Sequence, residues 1–213
     1  MDIAHFFKSR LDFAYYFYSQ ACIPFQDTIN LIEQEQAPFT PIDDAYDEPQ
    51  FIFEWIQARD GLISIGHATI SMLSSALKMY MNAWLDRTLP PRKKVRTGKG
   101  WINDLKEEMI NYGVDFDICP IDLDNLEQMV LARNRVQHAD DITSNIVNHI
   151  PRQLKRFPSP IFIDSSNDME SDWFIAPKVY VDQEIVEEMI VLLEKLCSWL
   201  ESEHERLIHH RMS

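Results

Sequence analysis

Glycine is scarce, with five residues in a chain of 213, a share that leaves little for tight turns and suits long helices joined by few connections. Cysteine is scarcer still: Cys22, Cys119 and Cys197 stand apart with no C-x-x-C spacing. That pattern makes neither a disulfide framework nor a thiolate zinc cluster, so the thiols are expected to be small core residues of a protein in a reducing, cytoplasmic compartment. No apolar run approaches the ~18 residues of a membrane span. The opening residues, Met1-Asp2-Ile3-Ala4-His5-Phe6-Phe7-Lys8, carry an early acid and no basic n-region, so no export leader is expected. Positive charge is also in deficit, 20 Lys and Arg against 34 Asp and Glu, for a net −14. Such a chain repels phosphate at long range, which excludes loose, salt-driven attraction to nucleic acid or anionic lipid. Glycine-rich phosphate loops, a G-x-S-x-G elbow and H-E-x-x-H are all missing, and with them most enzyme classes that a sequence announces.

What is present is an ordinary globular composition, 46% hydrophobic and 25% charged, spread along the chain in a way that predicts a single domain over 1–213. The expected fold class is all-α, an up-and-down helical bundle with a small β-hairpin insert before the last helix. A first helix is read from Asp2 to about Glu35, with Ile3, Phe6, Phe7, Ala14, Phe17, Tyr18 and Ala21 on a buried face and a kink or interruption at Pro24. An acidic linker follows at about 37–49. The second helix runs from Gln50 to Leu89 through Ile52, Trp55, Ile56, Ile63, Ile70, Leu73, Leu77, Tyr80 and Trp84, with Gly61 and Gly66 marking either a bend or the close approach of a second helix.

A basic loop occupies about 87–99, where Arg87, Arg92, Lys93, Lys94, Arg96 and Lys99 cluster on an otherwise acidic chain. Arg92, Lys93, Lys94 and Arg96 are the residues expected to contact RNA phosphate, the alternative being a solvated connector. Trp101 to Tyr112 reads as a short helix stopped by Gly113. Pro120 opens a fourth helix, roughly Ile121 to Ala139, with Asp122, Asp124 and Glu127 at its positive end. The segment 151–181 is irregular, with Ile161-Phe162-Ile163 and Lys178-Val179-Tyr180-Val181 as its hairpin strands. A last helix, capped by Asp182, extends to about His209. Its His204, His209 and His210 lack carboxylates at ligand spacing and are read as solvent-exposed; no metal and no cofactor is expected.

One short constellation points to chemistry. Leu131-Ala132-Arg133-Asn134-Arg135-Val136-Gln137-His138 contains R-N-x-x-x-H on the fourth helix. There Leu126, Met129, Val130 and Val136 form an apolar face with Arg133 near its centre, and an unpaired guanidinium so placed needs a reason. That reason is either an acid from another helix or a functional site. At about 100° per residue Arg133 and His138 stand about 140° apart, whereas Asn134 and His138 share a side. A cleft shared between two copies of the helix answers this geometry better than a site within one.

These residues resemble the motif of the HEPN superfamily, helical bundles with an arginine, a polar neighbour and a downstream histidine. The resemblance maps Arg133 to the arginine, Asn134 to the polar residue and His138 to the histidine, and covers chiefly this helix. It implies a metal-independent endoribonuclease of toxin–antitoxin, anti-phage or RNA-processing type, acting as a homodimer with an antitoxin or regulatory protein as a further partner. It also implies products ending in a 2′,3′-cyclic phosphate and a 5′-hydroxyl. The residue types suit that chemistry. Imidazole accepts a 2′-OH proton or protonates the leaving 5′-oxygen near neutral pH. Arginine's fork stabilises charge growing on phosphate. Asn134 orients phosphate or imidazole, and Arg135 adds a backbone contact. Some members of the superfamily serve as non-catalytic scaffolds, so an acidic interaction module that binds a basic partner is the alternative.

Overall fold

The computed structural model describes residues 2–41, 50–89, 94–137, 155–163 and 179–212. Among these the chain forms five α-helices and one short 3₁₀ turn: α1 (Ile3–Glu33), α2 (Ile52–Thr88), α3 (Trp101–Asn111), the turn Phe116–Ile118, α4 (Leu123–Gln137) and α5 (Gln183–Met212). The helical reading of the sequence holds, and none of the helices is long and apolar enough to cross a membrane among the described residues.

Local chemistry sets the ends. Asp2 accepts from the His5 amide at 2.9 Å to start α1, and Asp182 accepts from the Ile185 amide at 2.8 Å to start α5, each satisfying an amide with no partner inside the helix. Gly113, at φ +92°, takes the left-handed conformation that ends α3. Of the two outcomes expected at Pro24, a kink or an interruption, the interruption does not occur: α1 continues through it. The missing proline amide costs one hydrogen bond, but Tyr18 and Cys22 on the turns before it are buried in the core, and packing of that face sustains the helix across the gap.

α1 runs antiparallel to α2, as the pairs Phe7 with Tyr80, Phe25 with Gly61 and Glu33 with Trp55 show. α2 and α5 run parallel: Gly66 meets Val181, Trp84 donates to the Leu200 carbonyl at 2.8 Å, and Thr88 reaches His204 at 2.7 Å. Both glycines of α2 are therefore points of close approach. A Cβ at Gly61 would lie 2.4 Å from the Phe25 ring, and one at Gly66 would lie 2.8 Å from the Val181 backbone carbonyl. α2 is the spine, touching α1, α3, α4 and α5. Its Leu73, Leu77, Trp84 and Leu85 are fully buried with Leu11 of α1, Met129 of α4 and Leu193 of α5, each such side chain adding about 1.5–3 kcal/mol of burial.

Several expectations are corrected. Phe6 of α1 is exposed rather than part of the core. Arg87 belongs to α2 and pairs with Glu201 at 2.7 Å instead of opening the basic loop. His204 is half-buried between Thr88 and Trp84, not solvated. Among the described residues no strand forms. Of the expected hairpin the described residues hold one antiparallel bridge, between Ile163 and Val179, with the Tyr180 amide donating to the Phe162 carbonyl at 3.2 Å, and the rest of its span is not among them. The intervening 164–178, and 42–49 of the acidic linker, lie outside the described residues.

Candidate functional site

α4 packs on α2, and its Leu126, Met129, Val130 and Ala132 are buried. Its apolar face is thus covered within one copy, and a second copy is not needed to bury it, which removes one ground for placing a dimer there. Arg133 and Asn134 follow this face and are half-buried, open in part to solvent. The Arg133 Nη1 donates to Asn134 Oδ1 at 2.9 Å. The asparagine therefore holds the guanidinium through its carbonyl oxygen. Arg135 is half-buried and engaged. His138, the third member of the motif, lies outside the described residues.

Of the basic loop, Arg92 and Lys93 also lie outside the described residues. Lys94, Arg96 and Lys99 are exposed, on a stretch latched to α3. The Val95 amide donates to buried Glu108 at 2.9 Å, and Thr97 gives its amide and hydroxyl to Asp104 at 2.6 and 2.7 Å. These two bonds, with a smaller contribution from Arg96, hold the Asp104 carboxyl below its ordinary pKa. The loop thus has a fixed root from which its cations project. The root adjoins α4: Asn103, which donates to the Lys99 carbonyl at 3.2 Å, also donates to Glu127 at 3.1 Å.

Glu127 is the residue that sequence reasoning misplaced. It is 5% exposed, used not by the helix dipole but by an ion pair with Arg156 and the bond from Asn103. Next to it, Gln128 accepts from the Ile161 amide at 3.1 Å. The chain that leaves α4 at the motif thus returns over 155–163 to lie against α4 itself. Asn103, Lys106, Asp124, Glu127 and Arg156 line a small cleft of about 80 Å³, room for a few water molecules. Neither Arg133 nor Asn134 is among its lining residues. Among the described residues no three of His, Cys, Asp and Glu come together as metal ligands.

Comparison with protein-family models, curated proteins and solved structures finds no match to this chain.

Proposed function

We propose that the protein is a metal-independent endoribonuclease acting through Arg133, Asn134 and His138. The observation that carries the reading is the bond from Arg133 to Asn134 on the solvent-reachable end of α4. A guanidinium fixed in direction by a neutral neighbour keeps its remaining donors for an incoming anion and loses less freedom on binding it. His138 follows at the spacing that places it on Asn134's side of a helix. In the reaction His138 takes the 2′-OH proton, the 2′-oxygen attacks phosphorus, and the 5′-oxygen leaves as an alcohol after protonation, giving a 2′,3′-cyclic phosphate. Arg133 stabilises the phosphorane charge.

One imidazole serves poorly as both base and acid in the same step. A second copy presenting its own α4 end supplies the other imidazole and a second arginine. Lys94, Arg96 and the neighbouring Arg92 and Lys93 attract the RNA backbone locally against a net charge of −14. The test is expression of the wild type against His138→Ala. Growth arrest with RNA degradation confined to the wild type is expected, and equal arrest by both would remove the histidine from the site.

A second reading, an acidic helical module that binds a basic partner, is favoured by the net charge of −14. Binding of a basic protein by a chain without RNA cleavage would be its signature.

A further inference from the structure

α1 has two apolar faces. Ile3, Phe7, Leu11, Ala14, Tyr18 and Cys22 are buried. On the opposite side Phe6, Phe13, Tyr16 and Ile23 stand 54%, 59%, 61% and 44% exposed. A helix needs only one apolar stripe to join a bundle, and among the described residues no helix packs on the second. Its spacing is seven, three and seven residues, the a and d positions of a coiled-coil seam, over a length of about 26 Å.

The spacing reads the same in both directions. Reversing the helix about its midpoint, between Ala14 and Tyr15, places Phe6 on Ile23 and Phe13 on Tyr16. The same reversal places the two polar members of the seam, exposed Ser9 and Gln20, on each other. Beside the seam Arg10 then faces Phe17 and Asp12 faces Ser19, so no like charges meet. We infer that α1 is a self-association surface on which a second copy of this chain packs its own α1 antiparallel, related by a two-fold axis at the middle of the helix.

The area agrees. Aromatic side chains of 150–250 Å² at these exposures, with Ile23, offer roughly 400 Å² of apolar surface per copy. A standard interface buries roughly 800 Å² per partner, a little over half of it apolar, so the stripe supplies nearly all the apolar part. The contact lies on a different helix from the α4 contact of the ribonuclease reading, so the two are tested separately.

The test is the molar mass in solution at micromolar concentration, by light scattering, of the wild type, Phe13→Lys, Tyr16→Glu, and an equimolar mixture of those two variants. Both positions are exposed, so unchanged helical circular dichroism is expected throughout. Each variant alone should show half the wild-type mass. The mixture should regain it, because an antiparallel seam sets F13K of one copy against Y16E of the other and leaves Phe13 and Tyr16 facing each other at the symmetric contact. Variants that keep the wild-type mass, a monomeric wild type, or a mixture that stays dissociated would each overturn the inference. Arg133→Ala separates the two readings: it should abolish cleavage without changing the dependence of mass on Phe13 and Tyr16.

Discussion

Glu127 of α4 and Arg156 of the returning chain form an ion pair in which the carboxylate side chain is 7% exposed and the guanidinium 46%. The asymmetry matters, because loss of either partner leaves a different residue behind. Arg156→Ala strands a buried carboxylate with only Asn103 for support, whereas Glu127→Gln removes the buried charge and frees an arginine that water already reaches. Arg156→Ala is therefore expected to cost more, about 1–2 kcal/mol after allowing for the exposed partner, and Glu127→Gln less. Urea unfolding of both variants decides it, and the reverse order would mean that the pair does not hold this segment.

The two glycines of α2 separate on what a methyl would meet. Alanine gains about 1 kcal/mol of helix propensity over glycine. At Gly61 the obstacle is the ring of Phe25, a half-buried side chain able to turn; at Gly66 it is the backbone carbonyl and Cβ of Val181. Gly66→Ala is expected to destabilise by about 1–3 kcal/mol through overpacking, and Gly61→Ala by clearly less. Thermal melts of the two variants check the order.

Acid weakens the seam between α2 and α5 at His204. Burial, and then the Arg87 cation, hold this imidazole below its ordinary pKa. The unfolded chain, titrating near 6.5, therefore binds the proton more readily than the folded one, so stability is complete above that pH and falls as pH drops below it. His204→Gln removes this contribution and should flatten the decline of melting temperature between neutral and mildly acid pH. An unchanged slope would place the loss on the carboxylates alone.

The basic loop carries a salt signature. Replacing Arg92, Lys93 and Lys94 by glutamine should weaken RNA binding and reduce the slope of log affinity against log salt, each lost phosphate contact removing about 0.7–0.9 from it. Filter binding over a salt series measures this, and an unchanged slope would make the loop a solvated connector.

Much of the fold was legible because five helices declare themselves by period and cap: Asp2, Gly113 and Asp182 all stand where the sequence reading put a boundary. Periodicity could not say which stripe of α1 faces inward. Phe6 and Phe7 are adjacent and equally apolar, and only the arrival of Tyr80 against Phe7 decides between them. At Pro24 the local rule allows an interruption, and the buried face carrying Tyr18 and Cys22 outweighs it. Glu127 was illegible for the same reason, since its partner lies 29 residues downstream. For the site, the sequence brought Arg133 and Asn134 to notice as neighbours on one helix, but not that the asparagine grips the arginine. That bond depends on rotamers that spacing does not determine.

Incubation of an RNA with the purified protein in excess chelator, with the product ends identified, tests the central claim most directly. The wild type should cut and leave 2′,3′-cyclic phosphate and 5′-hydroxyl ends, while Arg133→Ala and His138→Ala, with helical circular dichroism intact, should lose at least a hundredfold in rate, on the order expected for removing a general acid–base or a charge-stabilising donor. Cleavage by either variant at the wild-type rate, or cleavage that appears only when Mg²⁺ or Mn²⁺ is restored, would contradict it.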